Sequence, residues 1–153
     1  MTNKSGCLLF FLELLKNNKK ETSLPYAKSK FLSIPEYSYY RVLKETLPEY
    51  MIMSKVRLED IIHVKKGTSK QEFNSARGKI KSRHIDFIIC DEQANILLAI
   101  ELNDKSHQAE DRIERDKFIQ DALNIAGIKI IFQECKKAYS KDDIAEITQI
   151  LKL

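Results

Sequence analysis

His84-Ile85-Asp86-Phe87-Ile88-Ile89-Cys90, then Asp91-Glu92-Gln93-Ala94-Asn95, then Ile96-Leu97-Leu98-Ala99-Ile100-Glu101-Leu102-Asn103, is the stretch on which the fold turns. Two apolar runs flank five turn-prone residues, which reads as two strands joined in a hairpin. A hairpin centred between Gln93 and Ala94 sets opposite each other residues whose numbers sum to 187. Asp86 then faces Glu101. In that register their Cβ atoms stand roughly 4.5–5.5 Å apart on one face of the sheet. Alternation puts Asn103 on the face of Glu101.

Two carboxylates facing each other between apolar neighbours repel, so the pair needs either a raised pKa on one member or a cation between them. Two carboxylates and an amide, completed by waters and a phosphate, make an all-oxygen site of the kind Mg²⁺ prefers. Metal-assisted phosphodiester hydrolysis is the chemistry that follows. The other reading is structural: Asp86 and Glu101 bind backbone amides, or Arg83 and Lys105, or the register slips by one and they separate.

Outward from the hairpin, the segment from Lys65 to Arg83 sets Lys65, Lys66, Lys70, Arg77, Lys79, Lys81 and Arg83 against one acid, Glu72. It reads either as a phosphate-contacting stretch or as a solvated loop kept soluble by its lysines. Ser33-Ile34-Pro35-Glu36 is a helix start, and Tyr39, Tyr40, Leu43 and Leu47 recur at helical spacing until Pro48, so a helix spans 33–47. Tyr50 to Leu58 is a strand, and Leu58 to Val64 a short helical turn. A long helix over 108–126 turns Ile113, Phe118 and Leu123 toward the core and ends at Gly127. Ile128 to Phe132 is a further strand, and 142–151 an amphipathic helix carrying Ile144, Ile147, Ile150 and Leu151. This order implies an α/β fold, a sheet with helices on its faces.

At 153 residues, with 43% hydrophobic and 31% charged residues, the chain suits one folded domain and excludes a disordered chain or a membrane bundle. A net charge of +4 permits nucleic-acid binding without demonstrating it. Cys7, Cys90 and Cys135 lack metal-ligand spacing, which fits a reducing cytoplasm. Residues 7–15 are apolar but shorter than a membrane span. They read as a short helix docking on the core or a partner, or as an interfacial membrane anchor. The organisation expected is an N-terminal apolar helix and polar arm over 1–31 and a folded domain over 32–153.

Leu32-Ser33-Ile34-Pro35-Glu36 through Leu43, Val56-Arg57-Leu58, His84-Ile85-Asp86-Phe87, Ala99 through His107, Glu114-Arg115-Asp116 and Ala126-Gly127 resemble, in that order, the bacterial domain of unknown function 2726. That family is similar to the PD-(D/E)XK, or restriction-endonuclease-like, nucleases. The resemblance implies an αβββαβ core around a central mixed sheet, with Asp86 and Glu101 as the motif's two acids and Glu36 as an acid on the N-terminal core helix. At the motif's lysine this chain has Asn103, so water activation must come from metal hydroxide or from a cation supplied elsewhere, with Lys105 and Lys117 as candidates. At Phe132 relatives commonly carry Arg.

The expectation is therefore a nuclease hydrolysing phosphodiester bonds with Mg²⁺ or Mn²⁺. Asp86 and Glu101 hold the ion, Glu36, Asn103 and Lys105 assist, and DNA is favoured over RNA as partner. Whether a homodimer is needed is open. The alternative is an inactive nuclease-like domain that binds nucleic acid or a protein. His107 reads as a ligand or base, or as a helix cap; His84 as a phosphate contact or a packed strand end; Arg112 and Arg115 as helix-surface pairing partners; Tyr37, Tyr39 and Tyr40 as mainly core.

Overall fold

A computed structural model describes residues 24–103 and 110–151, with side chains from residue 113 onward in the second stretch. The chain divides into two units at Phe31/Leu32. In the first, residues 24–30 form no helix or strand. Residues 7–15, Lys105, His107 and the start of the long helix lie outside the described residues, as does the side chain of Arg112.

The second unit holds α1 (Ile34–Thr46), β1 (Met51–Arg57), the single turn α2 (Leu58–Ile61), α3 (Lys70–Lys81), β2 (His84–Cys90), β3 (Ile96–Asn103), α4 (Glu110–Ile125), β4 (Ile130–Glu134) and a 3-10 turn, Lys141–Ile144, running into α5 (Ala145–Leu151). The four strands make one mixed sheet in the order β1-β2-β3-β4. The first two pairings are antiparallel and the last is parallel. A parallel pair needs a long crossover; here α4 supplies it.

Apolar clusters lie on both faces, giving three layers. On one, Tyr39, Val42 and Leu43 of α1 meet Phe87, Ile89, Leu98 and Ile100 of the sheet and Ile144 and Ile147 near the C-terminus. On the other, Ile119 and Leu123 of α4, Ile80 of α3 and Leu58 of α2 meet Ile85, Ile88 and Ala99. Ile113, expected to face the core, is 61% exposed, and Ile119 is buried instead. The core-facing stripe of α4 runs through Ile119 and Leu123, four residues apart on one helix face.

The stretch 65–83, for which the sequence suggested a phosphate-contacting run or a solvated loop, is largely helical. Ser69 accepts the Glu72 amide while Glu72 accepts the Ser69 amide, a reciprocal capping box that starts α3. The Ser-x-x-Glu spacing is present in the sequence. The α3 helix is mostly solvated; only Ile80 is buried. The last strand runs from Ile130 to Glu134 rather than from Ile128, because Ile128 closes the α4 turn by donating to the Leu123 carbonyl. Gly127, at φ +79, supplies the left-handed step that ends that helix.

Candidate active site

The hairpin has the register the sequence implies: Phe87 pairs with Ile100, Ile88 with Ala99 and Ile89 with Leu98. A bulge between Ile89 and Cys90 lets Cys90 pair with Ile96. Beyond Phe87–Ile100 the ladder opens. Toward its N-terminus β2 stays paired with β1, through Ile85–Val56 and His84–Arg57. Meanwhile β3 stays paired with β4, through Glu101–Phe132, Leu102–Gln133 and Asn103–Glu134.

Asp86 and Glu101 stand where the two halves of the sheet part. Backbone N–H groups freed there need acceptors, and the two side chains supply them crosswise. The Asp86 amide donates to Glu101 Oε2 at 3.2 Å, and the Leu102 amide donates to Asp86 Oδ2 at 2.8 Å. The pair thus converges as the register requires, and each member also takes the backbone-amide contact of the structural reading.

Burial dominates their electrostatics. Glu101 is pushed up to about 7 by desolvation and then by the Asp86 charge; the Asp86 amide and Arg115 oppose this. Asp86 is also raised, again by burial first and by Glu36 among the charges, against its bond from Leu102 and the charges of Lys55 and Arg115. The raised pKa that facing carboxylates demand thus falls on both members of the pair.

Two cations that the sequence did not bring to the site stand beside the pair. Arg115 of α4, read from sequence as a helix-surface pairing partner, does bond Asp116 Oδ1, at 3.1 Å, and also comes within 3.6 Å of Glu101 Oε1. Asn103 Nδ2 donates to Asp116 Oδ2 at 2.8 Å. Glu101 and Asn103 therefore reach the same helix, as their shared parity on β3 predicts. The second cation, Lys55 of β1, holds Glu36 Oε1 at 2.7 Å. Glu36 also accepts the Ser33 amide on Oε2 as the acid of the α1 capping box. Burial raises the Glu36 pKa, but these bonds outweigh it and hold the carboxyl below its ordinary value. Its two oxygens thus have structural partners.

Lys55 lies between the Ser54–Phe87 and Val56–Ile85 pairs, opposite Asp86. Its φ of +54 is left-handed, a conformation that strains a non-glycine residue by about 1–2 kcal/mol. The consequence is a change of phase in both strands. Ile52 and Val56 have the same parity yet pack on opposite faces, and so do Phe87 and Ile85. A regular strand would keep each pair on one face.

The donor set suits a hard divalent ion. Among the described residues of the linked group, Glu36, Asp86, Glu101 and Asp116 outnumber Lys55 and Arg115 by four to two, an imbalance that one doubly charged cation would cancel when all four carboxyls are ionised. Asn103 Oδ1 is buried without a hydrogen-bond partner among the described residues, so one amide oxygen is available as an acceptor. Among the described residues no three His, Cys, Asp or Glu side chains converge on a common point. Mg²⁺ commonly takes one or two carboxylates and completes its shell with water and phosphate oxygens, so the residues fit.

The remaining candidates scatter. Arg77 pairs with Glu59 at 3.4 Å. Arg83 stacks 4.8 Å from the centre of the Phe118 ring and donates to the Lys79 carbonyl, with Lys79 over the same ring at 5.9 Å. Lys65, Lys66, Lys70 and Lys81 are exposed. Lys117 and His84 are exposed, and Phe132 lies beside Glu101 in the sheet. Tyr39 is buried but Tyr37 is 56% exposed. Among the described residues no helix is long and apolar enough to cross a membrane.

Fold and site together define a mixed α/β domain, a four-stranded sheet flanked by helices, with a carboxylate pair, Glu101 buried and Asp86 half-buried, where the central hairpin opens. The chain belongs to the family described as Protein of unknown function (DUF2726), which matches residues 28–152. No curated protein and no solved structure matches it.

Proposed function

We propose that the domain is a divalent-metal-dependent phosphodiesterase of nucleic acid, with DNA favoured over RNA, related to the PD-(D/E)XK nucleases. One observation carries the reading: half-buried Asp86 and buried Glu101 meet where the β2–β3 ladder opens, with more negative than positive charge around them among the described residues. The succession α1-β1-β2-β3-α4-β4, with α2 and α3 inserted after β1, supports the restriction-endonuclease-like αβββαβ arrangement.

Asp86 and Glu101 would hold Mg²⁺ or Mn²⁺, with the Asn103 amide oxygen as a third donor. When bound, such an ion neutralises phosphate charge and makes a water nucleophilic near neutral pH. Arg115 and Asp116 fix the orientations of Glu101 and Asn103 through their ion pair and hydrogen bond. The exposed Lys65, Lys66, Lys70 and Lys81 would meet backbone phosphates, contributing affinity that falls with salt and carries little sequence preference.

The test is cleavage of plasmid and of end-labelled DNA and RNA oligonucleotides with Mg²⁺ or Mn²⁺. The wild type is expected to cleave and a folded Glu101→Ala variant to be inert; an inert wild type, or an active variant, overturns the reading. A second reading, binding without cleavage, is favoured by the position of Arg115, whose charge already leans on Glu101. It predicts equal retardation of nucleic acid in EDTA and in Mg²⁺.

A further inference from the structure

Lys55 joins an unusual backbone conformation to a charge that acts on Asp86. It sits in a strand interior with left-handed backbone, opposite Asp86. Its side chain is 36% exposed, and Glu36, itself fixed by its helix cap, holds the ammonium at 2.7 Å. The phase change centred on Lys55 and Asp86 aims both residues out of the regular alternation at the point where the sheet parts. Arg115 is engaged by Asp116 and Glu101, and Arg77 and Arg83 are engaged away from the pair. Lys55 is thus a charge that is fixed in place by Glu36, partly open to solvent and close enough to act on Asp86.

We propose that Lys55 is a catalytic residue: its ammonium contacts a non-bridging oxygen of the phosphodiester seated over Asp86 and Glu101 and stabilises the charge that grows there. The inference rests on the phosphodiesterase reading. In the step it assists, a water oxygen bonds to phosphorus and the bond from phosphorus to the leaving sugar oxygen breaks. One proton leaves the attacking water and one is taken up by the leaving oxygen, so diester plus water become monoester plus alcohol. Lys55 acts through charge and hydrogen bonding without giving up a proton. Donors preorganised in this way act mainly on the transition state.

The decisive variant is Lys55→Gly, because glycine adopts the left-handed φ without strain while deleting the ammonium. With Mn²⁺ and an oligonucleotide that the wild type cleaves, kcat should fall by about 10²–10³-fold while KM stays nearly constant. Methylammonium should restore part of the rate in Lys55→Gly and none in Lys55→Arg. Calorimetric titration with Mn²⁺ alone should show binding as tight as wild type or tighter, since a neighbouring positive charge is gone.

A Lys55→Gly enzyme as fast as wild type overturns the proposal, and so does failure of the amine to restore any rate, which would leave Lys55 as a prop for Glu36. Loss of Mn²⁺ binding in the variant overturns it as well, by making Lys55 a support for the carboxylates. A wild type that cleaves nothing removes the phosphodiesterase reading itself, an outcome distinct from a variant that keeps wild-type activity.

Discussion

The two ends of the β2–β3 hairpin are built from the same chain in opposite ways. At the turn end, Ile88, Ile89, Leu98 and Ala99 are buried and keep the ladder closed backbone to backbone. Asp91 holds the turn by accepting the Gln93 and Asn95 amides. At the other end the ladder is open, and side-chain carboxylates accept the freed amides. Each end also contains a left-handed non-glycine residue: Ala94 in the turn and Lys55 on the neighbouring strand at the opening. The closed end spends its apolar residues on stability. The open end gives up ladder hydrogen bonds and tolerates buried charge, and the gain is a pair of converging carboxylates.

Substitution at the two ends should break the molecule differently. On the proposed phosphodiesterase reading, Glu101→Ala is expected to lower cleavage by about a thousandfold or more, several kcal/mol of transition-state stabilisation, while the fold persists; activity assays beside circular dichroism check both halves of that statement. Leu98→Ala at the closed end should do the reverse. It should destabilise the domain by about 2–5 kcal/mol in urea titrations and leave the specific activity of the folded fraction unchanged.

pH sharpens the contrast. The Glu101 pKa rises from 4.5 to about 7 on folding, so the folded state holds this proton more tightly than the unfolded chain. The stability tied to that proton is fully present below about 4.5 and is lost as pH climbs through about 7, amounting to about 3 kcal/mol. Asp86, also raised, acts in the same direction. Urea melts at pH 5 and pH 8 without divalent ions should show the wild type weaker at pH 8, and Glu101→Gln should flatten much of that slope. Mn²⁺ should recover stability at pH 8 more than at pH 5, because ion binding and protonation compete for the same oxygens.

The smallest effect separates the two strained residues. Ala94→Gly should raise stability by up to about 1 kcal/mol with no change in cleavage. Relief of similar strain by Lys55→Gly should come with the activity loss described above. Thermal melts paired with rate measurements distinguish a turn that merely tolerates strain from a site that uses it.

Much of this arrangement was legible in the residues. The α1 start, the hairpin register, the convergence of Asp86 with Glu101 and the shared side of Glu101 and Asn103 all follow from local signals: a capping residue, turn-prone spacing and period-two alternation. The α3 helix has its local signal in Ser69 and Glu72, set within a lysine-rich stretch whose composition equally suits a solvated loop. Apolar Ile113, Ile119 and Leu123 compete for the one buried stripe of α4, and only packing on the sheet gives it to Ile119 and Leu123 and leaves Ile113 exposed.

Local signals in the chain mark most of the strands and helices and favour the register in which Asp86 faces Glu101, because these depend on neighbours along the chain and on the symmetry of one tight turn. Only the tertiary structure decided that the ladder parts at Asp86, that Lys55 turns left-handed to change the phase of its strand, and that Arg115 reaches Glu101 from the crossover helix. Those features arise from elements packed across the sheet, and no spacing within a single segment encodes a contact between residues brought together from opposite faces.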